Sequence, residues 1–256
     1  MSKPVGDALV ESRLTEGVAV LTLADPDHRN ALSRQLSDDL AHAVGDALDA
    51  GARALVLTAA PPVFCAGGSL DALLDRADPL PAMFAGMTAL AGAPVPTIAA
   101  VAGPAIGAGV NLPLACDIVI ATPGARFDPR FLDVGIHPGG GHLFRLAARV
   151  GAQGAAAMVL CGDTLTGQQA VEHGLAWRCV AESELEQTVM SLATRAAQRS
   201  PRLVRRTKET LIRSLTLTDA DAAFAVELQA QQWSMTQPEF AEALARVRAR
   251  ITAARR

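Results

Sequence analysis

The sequence predicts an α/β domain built from parallel β units. Three observations lead there. Short apolar, β-branched runs recur between Gly17 and Val180. Helical stretches separate them, and turns rich in Gly and Pro mark the junctions. Strands that alternate with helices are joined most simply by parallel crossovers.

The elements follow in order. Gly17–Leu23 reads as a strand and Asp25–Asn30 as a turn. Ser33 is a good N-cap for an amphipathic helix over residues 34–50. Arg53–Thr58 is a short apolar strand of the kind buried on both faces. Pro61–Gly68 is a loop, after which Ser69 caps a short helix with Asp71 in its first turn. Pro94 and Pro96 introduce a strand at Thr97–Ala102, Gly103–Gly107 turns, and Ala108–Cys116 reads as a helix despite Pro113. Asp117–Ala121 returns as a strand, and Pro138–Gly141 opens another helix. Beyond residue 150 the chain reads as helical, apart from one strand at Trp177–Val180. The reading gives a core over residues 1–200 and a helical region over 201–256 suited to assembly.

Composition excludes several function classes. Half the residues are hydrophobic and 19% are charged, as in an ordinary globular protein. A net charge of −3 gives no reason to expect a nucleic-acid partner. The basic run Arg246–Arg256 reads as a solvated helix face, with a phosphate-facing tail as the alternative. Cys65, Cys116, Cys161 and Cys179 have no zinc-site spacing, so they read as small buried residues. The N-terminus lacks the apolar core of a signal peptide, and apolar runs are broken well short of a membrane span. A reducing, cytoplasmic setting is expected, with no membrane partner.

Two strand–turn–helix junctions could carry chemistry: Phe64–Leu70 and Gly103–Asn111. Small residues in both let another molecule approach the backbone, and each opens a helix whose first N–H groups lack partners. Two such ends converging on one oxygen would stabilise an anion; alone, each reads more simply as a tight turn with an ordinary cap. Gly67–Asp71 fails as a nucleophile elbow at Asp71. Gly107–Leu112 fails as a dinucleotide fingerprint at Leu112. His137 and His142 lack zincin spacing, so no metal is expected. His28, His42 and His173 read as loop or surface residues.

Several blocks resemble, in order, the enoyl-CoA hydratase/isomerase (crotonase) family. They are Arg29–Ser33, Ala59–Leu70, Pro96–Asp117, Ala125–Phe127, Val134–Gly141, Gly162–Thr166 and Glu172–Ala176. The resemblance spans residues 5 to 250. It implies a crotonase-like spiral of ββα units with a helical C-terminal trimerisation region, and self-association as a homotrimer or hexamer. It also implies a lyase or isomerase of fatty acid metabolism that polarises an acyl-CoA thioester between the main-chain N–H groups of Gly68 and Ala108. Coenzyme A would be part of the substrate or ligand, with no separate cofactor. The matching CoA-lining positions are His28, Arg29, Ala31, Leu32, Ala66, Gly68, Leu70 and Arg250, while Val247 stands where the family has an aromatic residue.

The same resemblance marks a departure. The two glutamates with which a family hydratase handles water fall on Asn111 and Phe131. Neither side chain exchanges a proton near neutral pH. Classical hydration is therefore not expected. Asp128, where the family commonly has glycine, is the first candidate for a substitute base. Asp71, Asp75, Asp133 and His137 read as solvated charges or caps. The alternative function is a non-catalytic acyl-CoA-binding protein with the same pocket.

Overall fold

The structure is a computed structural model that describes residues 8–69, 74 and 79–253. It divides into two compact units, Met1–Ala197 and Gln198–Arg256. The helix expected after Ser69, with Asp71 and Asp75, lies outside the described residues.

The first unit has the predicted α/β architecture. Its main sheet holds β1 (Val10–Thr15), β2 (Val18–Leu23), β3 (Ala54–Ala59), β4 (Thr97–Val101), β6 (Ile118–Ala121) and β9 (Arg178–Cys179). They lie in the order β1-β2-β3-β4-β6-β9. β1 and β2 form an antiparallel hairpin, and every later pair in this sheet is parallel. A second sheet, in the order β5-β7-β8, joins β5 (Pro104–Ile106), β7 (Arg126–Asp128) and β8 (Leu165–Thr166).

Local chemistry explains the main elements. α1 (Arg34–Asp49) begins where the Ser33 hydroxyl accepts from the Leu36 N–H, and it buries Leu36, Leu40, Val44 and Ala47 along one stripe. β4 and β6 start in register because Asp117 accepts hydrogen bonds from the Thr97 N–H and hydroxyl, while the Asp117 N–H donates back to Thr97 Oγ1. Apolar side chains fill both faces of the sheet. Leu21, Leu55, Leu57, Ala99 and Val119 pack in one layer with α1. Val18, Val56, Ile98 and Ile120 pack with Leu185, Val189 and Ala193 of α6 (Glu182–Ala197) in another.

Three expectations are corrected. Gly103–Gly107 is not only a turn, because β5 lies inside it and opens the second sheet. The single helix expected at 108–116 is a 3-10 turn, Gly107–Val110, followed by α3 (Asn111–Ala115). Pro113 is tolerated there because it falls in the first turn, where its missing N–H leaves no helical bond unmade. Cys65 and Cys116 are buried as expected, but Cys161 is exposed and Cys179 half-buried. α4 (His142–Leu160) has 19 residues and is long and apolar enough, by those measures alone, to cross a membrane. It carries Arg145 and Arg149, breaks its helical geometry at Gly151, and lends Leu146, Ala155, Met158 and Val159 to the buried set.

The second unit consists, among the described residues, of α7 (Pro201–Ser214), α8 (Ala220–Met235) and α9 (Pro238–Ala253), numbering α2 as Ala85–Gly92 and α5 as Gly167–Glu172. Ser200 and Asp219 cap α7 and α8. Trp233 lies beneath the guanidinium groups of both Arg202 and Arg206, each 5.9 Å from the ring centre. None of these three helices has a buried residue.

The contact between α1 and α2 depends on a missing side chain. A Cβ on Gly86 would lie 2.8 Å from both Leu40 Cβ and the Ser37 carbonyl oxygen. The Gly86 N–H donates to Ser37 Oγ at 3.1 Å across the same contact. Gly86→Val is expected to lower stability by about 1–3 kcal/mol through overpacking, measured by urea unfolding. An unchanged midpoint would show that the two helices part freely.

Candidate active site

Three backbone segments run side by side at the edge of the second sheet. The first is pinned by Asn30, which is fully buried. Its side chain accepts from the Asp25 N–H and donates to the carbonyls of Ala60 and Val63. This bonding fits the left-handed conformation of Asn30, at φ 52°. The Ala66 N–H then donates to Arg29, Leu32 to Gly67 and Ser69 to Leu32, so residues 29–32 pair with 66–69. On the other side Phe64 and Cys65 donate to Pro104, and Ile106 donates to Cys65.

The two glycine-rich turns meet through this ladder. Gly67, at φ +93°, leaves no room for a side chain, since a Cβ there would lie 2.6 Å from the Ile106 carbonyl oxygen and 3.6 Å from the Ala108 nitrogen. A Cβ on Gly109 would lie 2.5 Å from the Cys65 carbonyl oxygen. Gly68 and Ala108 are thus placed on adjoining segments, both half-buried. Ala108 is the second residue of its 3-10 turn, where an N–H is not committed to a helical bond. Burial pushes the Cys65 thiol between them up to about 12, so it stays neutral.

Five of the positions expected to line CoA lie on or next to these segments. His28 and Arg29 are exposed, Ala31 and Ala66 half-buried, and Leu32 buried. The His28 ring bonds to Asp25 at 2.8 Å, and that bond raises its pKa. Leu70 lies outside the described residues. Arg250 and Val247 are exposed on α9.

Asn111 and Phe131 are both buried, and the structure joins them through a residue the sequence reading passed over. Asn111 Nδ2 donates to the Gly139 carbonyl at 3.1 Å. That bond fixes the amide, so Oδ1 faces His142 Nδ1 at 2.7 Å. An amide oxygen only accepts, so Nδ1 carries the proton and Nε2 is the bare nitrogen. Phe131 meets the same ring edge-on, with centroids 4.9 Å apart. His142 is 1% exposed, and its Nε2 has no hydrogen-bond partner among the described residues. Burial pushes this imidazole down to about 4. The signal for it was a histidine directly after the Pro138–Gly141 turn, weighed only as half of a metal pair.

The other acid–base candidates are placed elsewhere or otherwise engaged. Asp128 is buried and ion-paired with Arg130, whose Nε donates to it at 3.0 Å. Asp133 and His137 are exposed. A cavity of about 630 Å³, lined by Asp117, Arg149, Gly174 and Trp177 among others, shares no residue with the two turns.

Comparisons with known proteins identify the family. The sequence profile of the Enoyl-CoA hydratase/isomerase family matches residues 13–248. The chain is 41% identical over 239 residues to Probable enoyl-CoA hydratase EchA14 of Mycobacterium tuberculosis, covering 89% of this chain and 93% of that protein. It is 34% identical over 213 residues to the 2,3-dehydroadipyl-CoA hydratase of Escherichia coli, covering 80% and 82%. An enoyl-CoA hydratase crystal structure from Mycobacterium smegmatis matches with TM-score 0.87 and 30% identity, covering 95% of this chain and 97% of that one.

The buried imidazole makes stability depend on pH. Its folded pKa of about 4 lies below the ordinary 6.5, so the unfolded chain binds the proton more readily between those values. Stability is then lost as pH falls through this window, by about 2 kcal/mol between pH 7.5 and 5 for this group. Denaturant unfolding at the two pH values is expected to show a drop that His142→Gln reduces. Equal drops in both proteins would place the imidazole in water.

Proposed function

The chain belongs to the enoyl-CoA hydratase/isomerase family, and we propose that it binds an acyl-CoA thioester and stabilises its enolate without acting as an efficient hydratase. The thioester oxygen accepts from the main-chain N–H groups of Gly68 and Ala108. The observation that carries this reading is the close approach of the two turns at Gly67, where only a missing side chain lets the Ile106–Ala108 backbone lie so near. Backbone donors held by a ladder need no reorganisation as charge develops on the oxygen, and one such donor is typically worth about 3–4 kcal/mol. The replacement of a frequent family glycine by Ala108 leaves that N–H in place. The CoA moiety runs along His28, Arg29, Ala31, Leu32 and Ala66, whose exposed end offers an imidazole and a guanidinium to phosphate.

Hydration needs more than the oxyanion site. Water must be held, deprotonated and a proton returned. Asn111 is already bonded on both amide atoms, and the Phe131 ring presents carbon alone. General acid–base help is typically worth about 10²–10⁴ in rate. We expect crotonyl-CoA hydration far below the range of an efficient enzyme, about 10⁶ M⁻¹s⁻¹ in kcat/KM, with acyl-CoA binding intact. Steady-state turnover of crotonyl-CoA and longer enoyl-CoAs tests this, and efficient hydration would overturn it. Binding with no turnover on any enoyl-CoA would favour a purely acyl-CoA-binding role.

Self-association as a homotrimer or hexamer completes the reading. Phe224, Met235, Val247 and Ile251 are each at least half exposed, and Phe240 and Leu244 are 40% exposed. This much apolar surface on one small helical unit suits contact with other copies. Light scattering at micromolar concentration is expected to give a trimer or hexamer mass, and a stable monomer would refute the assembly.

A further inference from the structure

We propose that His142 is the residue that exchanges protons with the bound acyl chain, and that Asn111 positions it; the inference rests on the acyl-CoA reading above. The two positions that carry carboxylates in a family hydratase here hold an imidazole between them. Asn111 follows Ala108 by three residues, one helical turn on, so the two side chains project to the same side. Its Oδ1 fixes the His142 tautomer, with the proton on Nδ1 and a lone pair on Nε2. Phe131 holds the ring edge-on. Nε2 is the one buried atom of this cluster that needs a partner and has none among the described residues. A buried polar atom without a partner is costly, so its presence calls for a ligand or a reaction that uses it.

The surroundings keep the ring neutral. Burial alone lowers its pKa, with no charged group contributing to the shift. His142 is the first residue of α4, where the helix dipole disfavours a cation. The charged side chains on the neighbouring segments are committed elsewhere. Arg145 donates to the Gly140 carbonyl, and Asp128 and Arg130 pair with each other. A neutral imidazole titrating at about 4 has the proton affinity of a carboxylate, whose ordinary value is about 4.3 for Glu. It can therefore act as a base toward an acid that a carboxylate would deprotonate, without bringing a negative charge into the pocket.

A single base of this kind suits the shift of a double bond. With a β,γ-unsaturated acyl-CoA, Nε2 takes a proton from Cα. The C–H electron pair enters a dienolate whose charge rests on the thioester oxygen, facing Gly68 and Ala108. The same proton passes from Nε2 to Cγ, the double bond moves into conjugation with the carbonyl, and the imidazole is neutral again. No water, oxidant or second acid is consumed. Phe131 assists by keeping water from the dienolate.

The test uses the full chain with 3-hexenoyl-CoA. Binding is measured by calorimetry and isomerisation by the appearance of the conjugated thioester. Wild type is expected to bind and isomerise. His142→Gln is expected to bind within about threefold and to lose about 10²-fold or more in kcat. Asn111→Asp places a carboxylate on Nδ1–H, so the acid limb of its kcat–pH profile is expected at higher pH than in wild type. That shift remains readable if His142→Gln fails to fold. Absence of binding by wild type would remove the acyl-CoA reading itself. Binding without isomerisation, near-wild-type kcat in His142→Gln, or an unshifted acid limb in Asn111→Asp would overturn the role of His142 while leaving that reading in place.

Discussion

The site depends on one steric constraint: two turns lie closer together than side chains allow. A Cβ on Gly67 or Gly109 would meet a backbone oxygen of the other turn at about van der Waals overlap, 2.6 Å and 2.5 Å respectively. Everything around these glycines holds them in place. Asn30 ties the first loop to the carbonyls of Ala60 and Val63. Cys65 bridges to Ala105, and Leu32 bridges to Gly68. The result is a short ladder of main-chain bonds in which backbone, rather than side chains, presents the polar groups. Such an arrangement tolerates much substitution on its outer face. It does not tolerate a methyl group at its seam.

This constraint explains why some of the molecule was legible in the sequence. The strands at Val18–Leu23, Ala54–Ala59, Thr97–Val101 and Ile118–Ala121 are runs of apolar residues buried by the sheet, and Ser33 announces α1. The glycine-rich junctions marked where backbone had to approach backbone. What escaped notice was short or paired at a distance. β1 buries only Val10, so it has no apolar alternation to detect. β5, β7 and β8 have two or three residues each and exist because they add to one another and to the first turn. Periodicity cannot show an element that spans barely one period.

His142 illustrates the same limit at the level of chemistry. In sequence it sits beyond a glycine turn, between Arg145, which donates to the Gly140 carbonyl, and His137, which proves exposed. Its meaning comes from Asn111, 31 residues earlier, and from Phe131. Read separately, Asn111 and Phe131 are side chains that exchange no proton near neutral pH. Read together in space, they are the two walls that fix an imidazole.

The three side chains also fit one another energetically. Two carboxylates at a buried site each require water or donors to remain charged, and an added cation would pair with them. Phe131 and Asn111 bring no charge to the His142 ring, and both are buried. An imidazole in that setting gives up its proton readily and stays neutral, which is the form that a base needs. A carboxylate against the ring would hold the imidazolium form and raise its pKa, as Asp25 does for His28 at the surface. The proposed role of His142 therefore depends on both neighbours: uncharged walls let the histidine stay neutral, and the amide of Asn111 selects which of its nitrogens is bare.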